Sequence, residues 1–222
     1  MGVNYEEIFD LFREHADAQK AAEMSAYMRD LFPFLGIQKP QRKKLQREFL
    51  KAAKKAACYE SVDWDFVTTC WTMEREFQYL ALDYLQVVQS QLTQEDIPRL
   101  RELVVTRSWW DTVDSLDAII GAIALRFPEV NAVLLAWSTD EDFWLRRIAI
   151  DFQLQYKELT DTALLEAIIE NNFGQKEFFI NKAIGWALRE YSKTDPQWVD
   201  DFVDRHREQL APLSIREASK YL

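Results

Sequence analysis

Glycine and proline are both scarce in this 222-residue chain, which holds five of the first and six of the second. So few of either excludes the many tight turns of a hairpin-built fold and favours long helices joined by short loops. Cysteine and histidine are rarer still. Cys58 and Cys70 form no C-x-x-C pair, and His15 and His206 lie far apart in sequence. No metal-ligand spacing results, so a bare zinc site is not expected. No apolar run approaches the ~18 residues of a membrane span. The first residues lack the basic stretch and apolar segment of a signal peptide. These absences together lead to the expectation of a reduced, cytoplasmic protein. The chain also contains neither an evident nucleophile–base pair nor a glycine-rich phosphate loop.

What is present is a globular composition, 48% hydrophobic and 29% charged, with eight tryptophans and fourteen phenylalanines. Most of those aromatics belong in a core, because their large faces are stabilised by burial. The formal net charge is −10. Taken alone, that argues against nucleic acid as a partner, since phosphate binding needs positive potential. The charge is unevenly spread, however. Seven basic residues and one acidic residue lie between Arg42 and Lys55.

Apolar residues recur at helical spacing along the whole chain, and no stretch alternates with period two. The pattern predicts helices at about 5–15, 20–31, 41–57, 64–73, 77–89 and 97–106. Further helices are expected at about 109–127, 129–138, 142–155, 161–171, 176–191 and 197–207, with a last short one after Ser214. Start signals are read at Asp63, Thr93, Thr139, Thr160, Thr194-Asp195-Pro196 and Ser214, the last with Glu217 three residues on. The segment Phe32–Pro40 breaks the pattern at Pro33, Gly36 and Pro40. Short loops between successive helices make antiparallel pairs. The expected fold is all-α: one domain, 1–222, forming a HEAT-like α-α superhelix of about six antiparallel helix pairs. A helical bundle is the rival arrangement. In a superhelix, long basic side chains on the concave face would border a groove about one duplex wide.

Four places resist a purely structural reading. In Ser108-Trp109-Trp110-Asp111-Thr112-Val113-Asp114, two adjacent tryptophans rarely enter one core. Trp110 and Asp114, at i,i+4, share a face. An aromatic plane beside a carboxylate suits a cationic or electron-poor partner; alternatively, Asp111 caps a helix and one tryptophan is buried. In the second place, Arg147 stands one turn before Asp151, so it either pairs with it or presents its planar fork to a phosphate. In the third, Lys182, Trp186 and Arg189 fall at i, i+4 and i+7, with Phe179 on the same helix. The stripe is either a contact surface for a nucleic-acid backbone or ordinary core. Gly185 sits mid-helix beside it, at a cost of about 1 kcal/mol against alanine unless something packs close there. The fourth is the basic helix with Lys39, Arg42, Lys43, Lys44, Arg47, Lys51, Lys54 and Lys55, which is either a phosphate-contacting face or a solvated one. Spacing alone therefore reaches only a helical repeat protein with an aromatic and basic patch.

Four separated blocks, in order, carry a more specific resemblance. They are Tyr27-Met28-Arg29 through Ile37; Ser108 through Asp114; Trp144-Leu145-Arg146-Arg147 with Phe152-Gln153-Leu154; and Phe178-Phe179-Ile180 through Tyr191. In these the chain resembles the AlkD-like family of DNA alkylation-repair glycosylases over nearly its whole length. The resemblance implies a HEAT-like superhelix whose concave face binds duplex DNA. It also implies hydrolysis of the N-glycosidic bond of cationic purines, chiefly N3-methyladenine and N7-methylguanine, without cofactor and without turning the base into a deep pocket. By the same resemblance, the catalytic carboxylate corresponds to Asp114, the sugar-facing tryptophans to Trp110 and Trp186, and the arginine to Arg147, or to Arg146 if the alignment slips by one. Tyr27 and Phe179 match other aromatic positions of the cleft. Lys39, Arg42, Lys43, Arg47, Lys182 and Arg189 are the expected DNA contacts, and a monomer is the expected state. The competing reading is a non-catalytic HEAT-repeat scaffold that binds DNA or protein through the same face. The acidic balance departs from the more basic charge of the family.

Overall fold

A computed structural model of the protein describes residues 5–222, all of whose regular elements are helical. The chain divides into two compact units, Met1–Leu92 and Thr93–Leu222. The first unit holds α1 (Tyr5–Glu14), α2 (Ala18–Tyr27), α3 (Lys39–Leu45), α4 (Arg47–Ala56), α5 (Trp64–Thr72) and α6 (Arg75–Val87). Its core is aromatic. Phe9 stacks on Phe66 and meets Phe77 edge-on, and Tyr84 meets Phe66 edge-on from α6. The buried Glu76 carboxylate accepts the backbone N–H groups of Leu35, Gly36 and Ile37 at 2.9–3.0 Å. One side chain thus satisfies three donors of the loop that the prolines and Gly36 force out of a helix.

The single basic helix expected over 41–57 is instead two, broken at Gln46. No proline or glycine stands at the break. The side chains of Arg42 and Gln46, one turn apart, are both buried and converge on one acceptor, the Asp83 carboxylate of α6, at 3.1 and 2.5 Å. That shared anchor lies at the point where the two helices meet.

The second unit holds α7 (Ile97–Val105), α8 (Trp110–Arg126), α9 (Val130–Trp137), α10 (Phe143–Asp151), α11 (Thr162–Glu170), α12 (Phe178–Tyr191), α13 (Pro196–Arg205) and α14 (Pro212–Ala218). Here α8, α10, α12 and α14 lie side by side as one layer, each touching the next. The intervening helices α7, α9, α11 and α13 pack behind them. This two-layer alternation is the packing of a HEAT-like α-solenoid. It follows from apolar stripes at Leu116, Ile119, Ile120 and Ile123 on α8 and at Leu145, Ile148 and Ala149 on α10, all buried.

Helix starts differ from expectation in a consistent way. Asp63 caps α5, and Thr93 with Asp96 forms the expected capping box before α7. At α10 and α11, though, the caps are Asp142 and Asp161 rather than Thr139 and Thr160, each accepting from a first-turn N–H. A carboxylate is the stronger acceptor for those donors and also complements the positive helix end. Ser214, expected as a cap, is buried inside α14, where its hydroxyl donates to the Asn181 carbonyl at 2.8 Å. Pro212 opens that helix instead.

Two glycines mark close approaches between helices of the front layer. A Cβ on Gly121 would stand 2.1 Å from the Phe152 carbonyl oxygen. One on Gly185 would stand 2.5 Å from Glu217 Cβ. The mid-helix cost of Gly185 is thus offset by letting α14 approach α12 closely.

Candidate active site

All the expected catalytic residues lie on the front layer of the second unit. Asp114 is on α8, one turn beyond Trp110, and both side chains are partly exposed. Arg147 is on α10 and almost fully buried, at 2% exposure. Its Nε donates to Asp114 Oδ1 at 2.8 Å, and its Nη1 donates to the Phe179 carbonyl of α12 at 2.7 Å. Its Nη2 faces Asp151 at 3.7 Å, and its guanidinium lies 5.3 Å from the Trp186 ring centre. The fork is turned into the protein, as the first alternative for Arg147 has it, but its hydrogen bonds go to Asp114 and the Phe179 carbonyl, with Asp151 only at 3.7 Å.

Three helices therefore position one carboxylate. A planar fork with two ends fixed by different helices leaves little rotational freedom to Asp114. Burial pushes the Asp114 carboxyl upward, and the Arg147 hydrogen bond and charge oppose this. Burial also works against the Arg147 charge, but Asp151 and Asp114 outweigh it and hold its pKa above the usual value.

Two carboxylates missed as site residues stand behind this pair. Asp117 and Asp151 are buried, and each has an oxygen within 4.8 Å of one on Asp114. A signal for them existed: Asp114 and Asp117 stand at i,i+3, and Arg147 and Asp151 at i,i+4, so each pair shares a helix face. Glu166, Glu170 and His206 form a second such cluster, away from these residues in sequence. In each cluster an arginine supplies the facing positive charge: Arg147 in the first, Arg205 in the second at 2.6 Å from Glu166.

The aromatic wall beside the site is larger than the sequence reading foresaw. Trp109, Phe143, Trp144 and Phe179 form one cluster, with Trp144 and Phe179 4.8 Å apart and Trp109 and Phe179 5.3 Å apart. Of the adjacent tryptophans, Trp109 joins this cluster and precedes α8, leaving Trp110 to share the face of Asp114. Trp186 is flanked by three cations, Arg147, Lys182 and Arg189, at 5.3–5.7 Å from its ring.

Lys182 and Arg189 also meet a partner that the sequence reading treated only as part of a cap. Glu217 of α14 receives Lys182 at 2.9 Å, Arg189 at 3.0 Å and Lys220 at 2.7 Å. The hydrogen bond from Lys220, then that from Lys182, holds its carboxyl down at about 2. One anion among three cations leaves the Glu217 group net positive, with Lys182 and Arg189 reaching the Trp186 ring. An open cleft of about 600 Å³ adjoins it, lined by Leu154, Gln155, Lys157, Trp186, Arg189 and Glu190.

In the first unit, taken by itself, Lys39, Lys43 and Arg47 are exposed, the last paired with Glu48 at 3.0 Å. Tyr27 is 74% exposed at the end of α2. Arg42 differs from them. Expected as a DNA contact, it is buried against Asp83 and over the Tyr79 ring at 4.7 Å, where it supports the fold.

Comparison with known proteins bears on this geometry. Residues 8–222 match the model of the family described as DNA alkylation repair enzyme. A solved structure described as a "predicted DNA alkylation repair enzyme" from Enterococcus faecalis superposes with a TM-score of 0.83 at 35% sequence identity. That match covers 93% of this chain and 96% of the other. No curated protein sequence matches the chain significantly.

Proposed function

The chain belongs to the DNA alkylation repair enzyme family, and from that premise we propose that it is a glycosylase that hydrolyses the N-glycosidic bond of cationic alkylated purines in duplex DNA. N3-methyladenine and N7-methylguanine are the substrates that fit. The observation that carries the reading is Asp114: a partly exposed carboxylate fixed by a buried arginine at 2.8 Å, one turn from Trp110.

The chemistry asks little of an acid. An alkylated purine already carries positive charge, so the electron pair of the breaking bond returns to its ring and neutralises it. The barrier lies in the oxocarbenium-like sugar that remains. An ionised Asp114 stabilises that developing charge and orients a water toward the anomeric carbon. The water oxygen bonds to that carbon, and its proton passes to Asp114 or to solvent. Trp110 and Trp186 offer electron-rich faces to the cationic sugar and base. Arg147 acts through Asp114, which it holds in place and keeps charged. The positive patch of Lys182 and Arg189 is suited to a backbone phosphate, as are the exposed Lys39, Lys43 and Arg47 of the first unit. Tyr27 and Phe179 complete the proposed aromatic contacts.

Base release from duplex DNA bearing N7-methylguanine tests the reading, at low and at physiological salt, because a net charge of −10 weakens the approach to phosphate as well. Asp114→Asn is expected to slow release by about 10²–10³-fold, the scale of removing one preorganised electrostatic group, and Trp110→Ala to slow it clearly as well. Folded wild-type protein that releases neither N7-methylguanine nor N3-methyladenine, beside a working control enzyme, would sink the assignment. A DNA-binding scaffold without chemistry would then be the reading.

A further inference from the structure

The Asp114–Arg147 pair leaves two carboxyl side chains of the same cluster unused. Asp151 is 1% exposed, and neither of its carboxylate oxygens has a hydrogen-bond partner. Its nearest cation, Arg147 Nη2, stands at 3.7 Å, outside hydrogen-bond reach. Asp117 is 7% exposed and close to both other carboxylates. A buried ionised carboxylate without a donor is among the costliest groups a protein interior can hold.

The charged groups that face Asp151 are few. Arg147 lies one turn away on its own helix, and Asp114 and Asp117 approach from α8. Asp111, further along α8, acts on Asp114. From α12 the cluster meets the neutral Phe179 carbonyl and the Trp186 ring, both on Arg147. One guanidinium thus faces three carboxyl groups. Ionising all three would leave two uncompensated negative charges in a dry site, so the interior favours retaining protons. Asp114, at 21% side-chain exposure and hydrogen-bonded to Arg147, is the member best able to stay charged.

We propose that Asp117 and Asp151 are positioning residues that work as neutral carboxyls, leaving the whole of the Arg147 charge to Asp114. This rests on the reading of Asp114 as the reacting carboxylate. If Asp151 ionises, it becomes a second claimant on Arg147 Nη2. The fork is then drawn along α10, and the hold on Asp114 slackens. Burial pushes both groups in the protonated direction, Asp117 strongly, and Asp151 to about 7. Base release should accordingly decline on the alkaline side as Asp151 loses its proton, through kcat rather than KM, because the affected group acts on the reacting sugar.

The test joins a titration with kinetics. In protein labelled with ¹³C at the aspartate carboxyl carbons, the Asp151 signal, assigned by its loss in Asp151→Asn, is expected to titrate near neutrality. In the kinetic arm, Asp151→Asn keeps the shape of the carboxyl without its ability to ionise. It is expected to move the alkaline decline of kcat to higher pH, and to exceed Asp151→Ala by about tenfold or more at pH 6. An Asp151 signal that titrates below pH 5, or an Asp151→Asn profile with the wild-type alkaline limb, overturns the proposal. Should Asp151→Asn fail to fold, Asp117→Asn serves for assignment and kinetics, with its own resonance expected to show no ionisation at neutral pH. The titration reads protonation without any chemistry on DNA. Neutral carboxyls in a wild-type protein that releases no base would therefore overturn the glycosylase reading, and the positioning role with it, while an acid-titrating Asp151 in an active enzyme overturns the positioning role alone.

Discussion

Replacing Arg147 by methionine removes the one cation of the buried cluster while keeping an unbranched side chain. The guanidinium is 2% exposed and bonded to Asp114 and to the Phe179 carbonyl. Removing one partner of such a buried pair typically costs about 3–5 kcal/mol, because the other charge is left behind. For a chain of this size each kcal/mol moves the midpoint by roughly 2–4 °C, so a fall of about 6–20 °C is expected at neutral pH. The deficit should also depend on pH. Without Arg147, the folded-state pKa of Asp114 rises further above its unfolded value. A raised folded pKa gives stability that is complete at low pH and lost as pH rises, at up to about 1.4 kcal/mol per unit. Arg147 also holds down the Asp151 carboxyl, which lies at about 7, so its loss raises that group too and adds to the same deficit at the alkaline end, while Asp117, strongly raised by burial, stays neutral in both proteins. The gap between wild type and variant is therefore expected to widen from pH 5 to pH 8. Urea unfolding followed by tryptophan fluorescence reads it directly, since six of the eight tryptophans lie in the second unit. An equal deficit at pH 5 and pH 8 would refute the electrostatic account and reduce Arg147 to a packing role.

Two further outcomes separate the roles of neighbouring residues. Gly185→Ala gains about 1 kcal/mol of helix propensity but sets a new methyl 2.5 Å from Glu217 Cβ, an overpacking that costs about 1–3 kcal/mol. The contact is with an atom next to the backbone, so the second effect should win, and thermal unfolding should show a lower midpoint; a raised midpoint would mean that α14 moves aside easily. Arg42→Gln should lower stability by about 1–3 kcal/mol through the lost Asp83 bond, with the salt dependence of DNA binding unchanged. Lys43→Gln should leave stability alone and reduce the slope of log affinity against log salt by about 0.9. The reverse pattern would return Arg42 to the DNA-contacting face.

The all-α class was readable from the chain because it depends on local signals repeated many times: few glycines, few prolines and apolar stripes at helical spacing along every segment. Trp110, Asp114, Arg147 and Trp186, the residues proposed for the site, were singled out in the sequence through motifs that resemble a known family. Helix starts were read to within a few residues, with threonine chosen where a nearby aspartate holds the cap. Periodicity locates a helix face well but not the residue at which its first N–H groups find an acceptor.

What only the tertiary structure decided are the partners. Arg42 and Lys43 are neighbours in one basic run, yet one is buried on Asp83 and the other is exposed. Nothing local distinguishes them, because the distinction is made by a carboxylate on α6. Arg147 had two open readings until three helices closed around it. Glu217 looked like the companion of a capping serine and is the anion on which three cations converge. The charge state of Asp151 belongs to the same class. A carboxyl's pKa is set by what surrounds it in space, and the groups that surround Asp151 come from two different helices. Sequence determines which elements form and which chemical groups they carry; packing determines which of those groups lose their water, and so which of them remain charged.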